Sequence, residues 1–210
     1  MARGSWQAAR VAERGVPASD RGGRPAVTSA HELAAVAQRL FVAGGFDETS
    51  VEDIAAAAGI GRRTFFRYFP TKADVLFADS PRELARLREG LAEARPGEPY
   101  RTVVTRAVVE ALRIPPGERE WALHRAQLFF TVPAVQAHAA RVWAEWRRLA
   151  ADHARTVPHA DPLFPVAVGH AVLAGTLAAH EQWLTVPDED LDRLLAGMLD
   201  LLLPPEPPPA

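Results

Sequence analysis

Apolar residues recur along this chain at helical spacing, in blocks separated by Gly, Pro and short capping residues. In the first block Leu33, Val36, Ala37, Leu40 and Phe41 share one face until Gly44 and Gly45 stop the run, and Ser29 with Glu32 forms a capping box at its start. Ser50 with Asp53 repeats the capping pattern ahead of Val51, Ile54, Ala55 and Ala58, a stripe of about two turns closed by Gly59. Gly61 tolerates the geometry of an N-cap, so a third helix is predicted over Arg62 to Phe69, ended by Pro70. Thr71 with Asp74 predicts a fourth.

The punctuation continues. Ser80, Pro81 and Glu83 supply a cap, a first-turn proline and a third-position acid for a helix to about Ala94. Tyr100, Val103, Val104, Ala107, Val108, Ala111 and Leu112 make one stripe, and Trp121, Leu128 and Phe129 mark a helix between Pro116 and Pro133. A long helix is predicted from about Ala134 to Arg155, a mostly apolar one from Asp161 and Pro162 to Trp183, and a last one from Asp188 to Leu203. No strand pattern and no internal repeat interrupts this series, which predicts an all-α chain. Its expected parts are a flexible basic arm over 1–27, a small helical domain over 28–78, a helical bundle over 79–203 and a Pro-rich tail over 204–210.

Composition adds where the charge lies. The 210 residues carry a formal charge of -2, yet the segment 1–72 holds ten Lys and Arg against seven Asp and Glu, leaving fourteen against nineteen beyond it. Basic residues thus gather at the N-terminal end, where a nucleic-acid partner would be met. There are no cysteines, so disulfides and thiolate chemistry are excluded, which suits a reducing cytoplasm. No apolar run approaches the roughly 18 residues of a membrane span, and no membrane partner is expected. Lys72 is the only lysine.

The segment 45–77 reads as two short helices joined by a tight turn at Gly59, the shape of a helix-turn-helix whose second helix enters the major groove. On a helical wheel Phe65 and Phe69 lie together as anchors, Arg63 and Arg67 point away, and Thr64 and Phe66 flank them. Arginine near the start of such a helix can bond a guanine edge bidentately, and threonine can meet a base or a thymine methyl.

This segment resembles the signature of the TetR family of regulators: a Gly-aromatic pair, Thr49-Ser50-Val51, Asp53-Ile54-Ala55, Ala58-Gly59-Ile60, then Thr64, Phe65, Phe66, Phe69 and Lys72. The resemblance implies an N-terminal three-helix DNA-binding domain, a C-terminal helical bundle for dimerisation and ligand sensing, and a homodimer on palindromic double-stranded operator DNA. By position it implies phosphate contacts from Ser50 and Lys72, a base-facing turn of Arg62, Arg63 and Thr64, and an aromatic pair, Phe66 and Tyr68, along the backbone. Tyr68 reads equally well as a packed aromatic, and Arg67 as a solvated or phosphate-facing charge. Two positions depart from the pattern. Phe66 stands where the family usually has tyrosine, so a hydroxyl is missing, and Gly61 stands where serine or threonine is common, so a side-chain cap is missing. The segment RGGRP at 21–25 is similar to arms that enter minor grooves, and also reads as a plain tail.

The bundle carries four of the five tryptophans and more apolar surface than one small core needs. In the family the last two long helices pair with their copies, and Leu191, Leu194, Leu195, Met198 and Leu202 suit such a face, or an ordinary core. A small-molecule effector would bind between the helices. By composition Trp121, Arg125, Phe129, Arg141, Trp146 and His170 are candidates, with His124, His138 and His180 behind them. The stretches 133–155 and 61–75 resemble the regulators encoded beside mycofactocin clusters, a subgroup similar to acyl-CoA-responsive repressors. That implies an acyl-type or CoA-bearing effector, with Arg125 or Arg141 placed for a carboxylate or phosphate.

An enzyme is the competing class. No GxSxG, P-loop or HExxH is present, and the histidines offer no identifiable metal-ligand spacing, so neither catalysis nor a cofactor or metal is expected. A DNA-binding regulator controlled by a protein partner rather than a small molecule is the other alternative.

Overall fold

The computed structural model describes residues 29–207, so the arm expected over 1–27 and the last residues of the tail lie outside the described residues. Within them the chain is all-helical, as its periodicity predicts. The helices are α1 (Ala30–Gly44), α2 (Val51–Ala57), α3 (Arg62–Tyr68), α4 (Ser80–Ala92), α5 (Tyr100–Leu112), α6 (Arg119–Thr131), α7 (Pro133–Ala154), α8 (Phe164–Thr185) and α9 (Leu191–Leu202), with a 3-10 helix at Ala73–Phe77 between α3 and α4.

The sequence signals act at most of these ends. Ser29 and Glu32 close both halves of a capping box on α1, as do Ser50 and Asp53 on α2. Gly59, at φ +69°, ends α2 in a Schellman arrangement, with Gly59 N donating to Ala56 O at 3.1 Å and Ile60 N to Ala55 O at 2.9 Å. Four starts differ from expectation, two of them by coming later, α8 at Phe164 rather than Asp161 and α9 at Leu191 rather than Asp188. Thr71 does donate to Asp74, from its amide and its hydroxyl, both at 2.7 Å, but this cap opens one tight 3-10 segment rather than an α-helix. Asp79, not Ser80, occupies the cap position of α4, and both Ser80 and Glu83 are buried and face the bundle interior.

Two apolar cores form. The first gathers Leu33, Ala37, Phe41, Ile54, Phe65, Phe69, Val75 and Leu76 from the N-terminal helices, and it also takes in Leu128 from α6 and Val135 from α7. The second fills the bundle of α4 to α9 around Val104, Val108, Trp146, Val172, Trp183 and Leu195. Contact is close where small residues allow it: a Cβ on Gly169 would stand 2.7 Å from Arg147 O, so α7 and α8 approach backbone to backbone. The chain after α9 folds back on α5, where the Tyr100 hydroxyl donates to Pro204 O, and burial pushes that phenol up to about 12.

Candidate DNA interface and ligand cavity

In α3 the two faces separate cleanly. Phe65 and Phe69 are buried, while Arg62, Arg63, Phe66 and Arg67 are exposed and Thr64 is half-buried. The anchors meet at a tilt, with Phe65 and Phe69 ring centres 5.9 Å apart, and both join Ile54 of α2 in the N-terminal core. Gly61 caps α3 without a side-chain hydrogen bond, as the missing hydroxyl predicts.

The outward arginines are held differently. Arg62 Nε lies 2.9 Å from Glu52 Oε1, and its guanidinium covers the Phe66 ring at 5.2 Å. Arg67 stands over Tyr68 at 5.4 Å, and Tyr68 is half-buried. Arg63 has no hydrogen bond or ion pair among the described residues. Ser50 spends its hydroxyl on the capping box, donating to Asp53 Oδ2 at 2.6 Å, which holds the Asp53 carboxyl below the usual range.

Lys72 occupies a position the motif did not foretell. Its Nζ donates to Phe46 O at 2.5 Å, Thr49 O at 2.9 Å and Asp47 O at 3.3 Å, and lies 4.4 Å from the centre of the Phe46 ring. Three carbonyls match the three donors of an ammonium. Thr49 ties the same turn from the other side, its hydroxyl donating to Gly45 O at 2.7 Å. The loop that aims α2 is therefore clamped.

Behind this unit the bundle holds a partly open cavity of about 100 Å³, lined mainly by rings and aliphatic groups. Phe77 from the 3-10 helix, Arg125 and Phe129 from α6, Trp143 and Trp146 from α7, and Thr176 and His180 from α8 all face it. Of the candidates chosen by composition, Arg125, Phe129 and Trp146 line this cavity, along with His180. Trp121, Arg141 and His170 are not. Arg141 and His170 are exposed, on the faces of α7 and α8 turned from the interior, and Trp121 stacks on His31 at 5.3 Å beneath the Arg125 guanidinium at 4.8 Å. Sequence reading missed Trp143, Trp183 and Thr176: Thr176 and Trp183 sit on α8, a helix apolar on most sides, where period alone cannot say which face lines a void, and Trp143 stands on α7 at the edge of a stripe interrupted by charged residues.

The polar groups of the cavity are few and specific. Arg125 Nη2 lies 2.9 Å from Glu83 Oε1 and Nη1 lies 3.7 Å from Asp79 Oδ2, with Arg125 only 19% exposed. His180 Nδ1 donates to Thr176 O at 2.8 Å, and burial holds its imidazole below the usual range. Thr176 Oγ1 is buried without a partner.

The cavity and the N-terminal helical unit share material. Leu76 and Phe77 line the void and belong to the N-terminal core or pack on it. Phe77 meets Phe129 at 5.8 Å and His138 at 5.1 Å, and His138 Nε2 lies 2.7 Å from Asp74 Oδ1. His31 of α1 reaches Asp79 at 3.4 Å.

The outer face of the last two helices is less clearly filled. Of the α9 residues that suit either a face between copies or an ordinary core, Leu191 and Leu195 are buried in the bundle core, whereas Leu194 and Met198 are only partly covered. Leu201 and Leu202 are exposed.

Comparison with known proteins agrees with this arrangement. Residues 33–78 match the family model described as bacterial regulatory proteins, tetR family, and residues 98–207 match the MftR C-terminal domain. The chain is 30% identical over 189 residues to the mycofactocin biosynthesis transcriptional regulator MftR of Mycobacterium tuberculosis, covering 89% of this chain and 96% of that protein. The transcriptional regulator EthR of Mycolicibacterium smegmatis is 39% identical over 74 residues, 34% of each chain. Among solved structures, the fatty acid degradation regulator FadR of Bacillus halodurans superposes with a TM-score of 0.58 at 16% identity, over 84% of this chain and 96% of that one. Thermus thermophilus FadR, solved in complex with lauroyl-CoA, gives 0.56 at 24% identity, over 87% and 100%. Both share the fold.

Proposed function

We propose that this chain, which belongs to the TetR family of bacterial DNA-binding transcription regulators, works as a homodimeric repressor that a small apolar or acyl-type ligand releases from a palindromic operator. Arg62, Arg63 and Thr64 read bases in the major groove, and Ser50, Phe66, Arg67 and Tyr68 lie along the backbone. Each good base contact of this kind is worth about 1–3 kcal/mol of discrimination. One helix of seven residues meets few bases, so a second copy, paired through the outer faces of α8 and α9, is needed to add the second half-site.

The observation that carries the sensing half is the double membership of α6. Ala122, Arg125, Ala126 and Phe129 line the cavity, while Leu128 of the same helix packs in the N-terminal core. A ligand that widens the cavity displaces α6 and Phe77, and with them the seat of the DNA-reading unit. At about 100 Å³ the void is smaller than the ~300 Å³ at which drug-sized sites begin, so a larger ligand must open it. That expansion is the differential contact a switch requires.

The test is selection of a binding site from randomised DNA, footprinting of the full chain on it, and titration with acyl-CoAs and unrelated apolar compounds. A protected palindrome released by a compound that also raises the melting temperature supports the reading. A protected palindrome that no compound releases would favour control by a protein partner.

A further inference from the structure

The charge inventory of the cavity is unusual for a site meant to hold an anion. Among the described residues the one arginine or lysine lining it, Arg125, lies 2.9 Å from Glu83 and 3.7 Å from Asp79, so two carboxylates already answer one guanidinium. Arg141, the other arginine the sequence offers for this role, is exposed elsewhere. A carboxylate or phosphate entering the void would have to displace Glu83 and leave it buried without its partner, which is the costly half of breaking a buried pair.

What remains unspent is neutral. With Nδ1 donating to the Thr176 carbonyl at 2.8 Å and the ring kept uncharged by burial, His180 presents Nε2 as an acceptor. That nitrogen has no hydrogen-bond partner among the described residues. One turn earlier on the same face of α8, Thr176 Oγ1 is also without one. Both residues line the cavity, and the walls around them are aromatic: Phe77, Phe129, Trp143 and Trp146. An unpaired acceptor and an unpaired hydroxyl side by side fit a group that both donates and accepts.

We propose that the cavity admits an uncharged group bearing one hydroxyl, a phenol or alcohol on an apolar body, seated between His180 and Thr176, and that it turns anions away. The ligand O–H donates to His180 Nε2, and the Thr176 hydroxyl donates to the ligand oxygen. This rests on the reading of the cavity as the effector site. It assigns the charged portion of any larger effector, such as a nucleotide-bearing one, to the cavity mouth or beyond.

Three probes with one apolar body separate these terms: 4-propylphenol, 4-propylbenzoate and propylbenzene, titrated calorimetrically into the full chain at neutral pH. The expected order is propylphenol tightest, with propylbenzoate at least about tenfold weaker, which is about 1.4 kcal/mol. Propylbenzene falls between them. In His180→Phe, and separately in Thr176→Val, the advantage of propylphenol over propylbenzene should shrink to about threefold or less, while propylbenzene binding persists. Propylbenzoate binding as tightly as propylphenol, propylbenzene matching propylphenol in the wild type, or no binding by any of the three would each overturn the proposal. Adding the probes to the operator complex separates it from the sensing reading. A probe that binds without releasing DNA leaves the ligand class standing and counts against sensing at this cavity, and release by propylbenzoate alone does the reverse.

Discussion

Lys72 Nζ lies 2.9 Å from the carbonyl oxygen of Thr49, joining the segment after the recognition helix to the turn that launches α2. With Phe46 O and Asp47 O completing its set, the ammonium works as a clamp on the helix-turn-helix, whereas the sequence motif suggests a phosphate contact. Lys72→Met keeps the stem and removes the donors, leaving partly buried carbonyls unpaired. The expected cost is about 1–3 kcal/mol of stability, read by denaturant unfolding. Unchanged stability with a uniform loss of affinity for specific and random DNA would return Lys72 to the phosphate role.

Gly169 and Gly197 should respond in opposite directions to alanine. A Cβ at Gly169 meets Arg147 O at 2.7 Å, and at Gly197 it meets nothing within 4 Å. Gly169→Ala forces α7 and α8 apart at a cost of about 1–3 kcal/mol. Gly197→Ala, inside α9, should add about 0.5–1 kcal/mol through helix propensity to the unpaired chain, read below the concentration at which copies associate. Paired unfolding curves decide, and the reverse order would contradict the helix packing described.

Gln38 is buried in the N-terminal core with both its amide oxygen and its amide nitrogen unpartnered. Gln38→Met keeps the volume and removes the unpaired groups, so the melting temperature should rise, by the equivalent of about 1 kcal/mol or more. A fall would mean that the amide is satisfied in solution, by a partner that methionine cannot replace.

Stability should decline on the acid side because of the buried histidines. Burial lowers the pKa of His180, and of His153, from an ordinary 6.5. The unfolded chain therefore binds protons that the folded chain refuses. Stability is fully present above that ordinary value and is lost as pH falls through it towards the depressed folded pKa. His180→Phe should flatten this slope in melting curves taken between pH 8 and 5. An unchanged slope would show that His180 is not held neutral by the fold.

How far these features could be read beforehand depended on what each residue was doing. Capping residues announce themselves, so Ser29 with Glu32 and Ser50 with Asp53 placed two helix starts to the residue, and Gly59 placed the turn. Ser80 misled because its neighbours mimic a cap while its side chain is buried beside Glu83. The two faces of α3 followed from its period, since Phe65 and Phe69 have one side to bury on. The cavity was only partly legible: Arg125, Phe129 and Trp146 came from residue type, but Arg141 and His170 sit on outward faces. Choosing among them needs the relative rotation of four helices, which apolar period fixes poorly in helices as evenly apolar as α8. For the α9 stripe the sequence left core and outer face both open, and Leu191 and Leu195 take the core.

Whether α3 reads DNA sequence through its outward arginines is decided by one titration. Fluorescence anisotropy of the full wild-type chain and of Arg63→Ala would be measured against a selected palindrome and a scrambled duplex at fixed salt. Arg63→Ala should lose about 1–3 kcal/mol per half-site on the palindrome and far less on the scrambled duplex. Equal losses on both duplexes, or wild-type binding that does not distinguish them, would contradict sequence reading by α3.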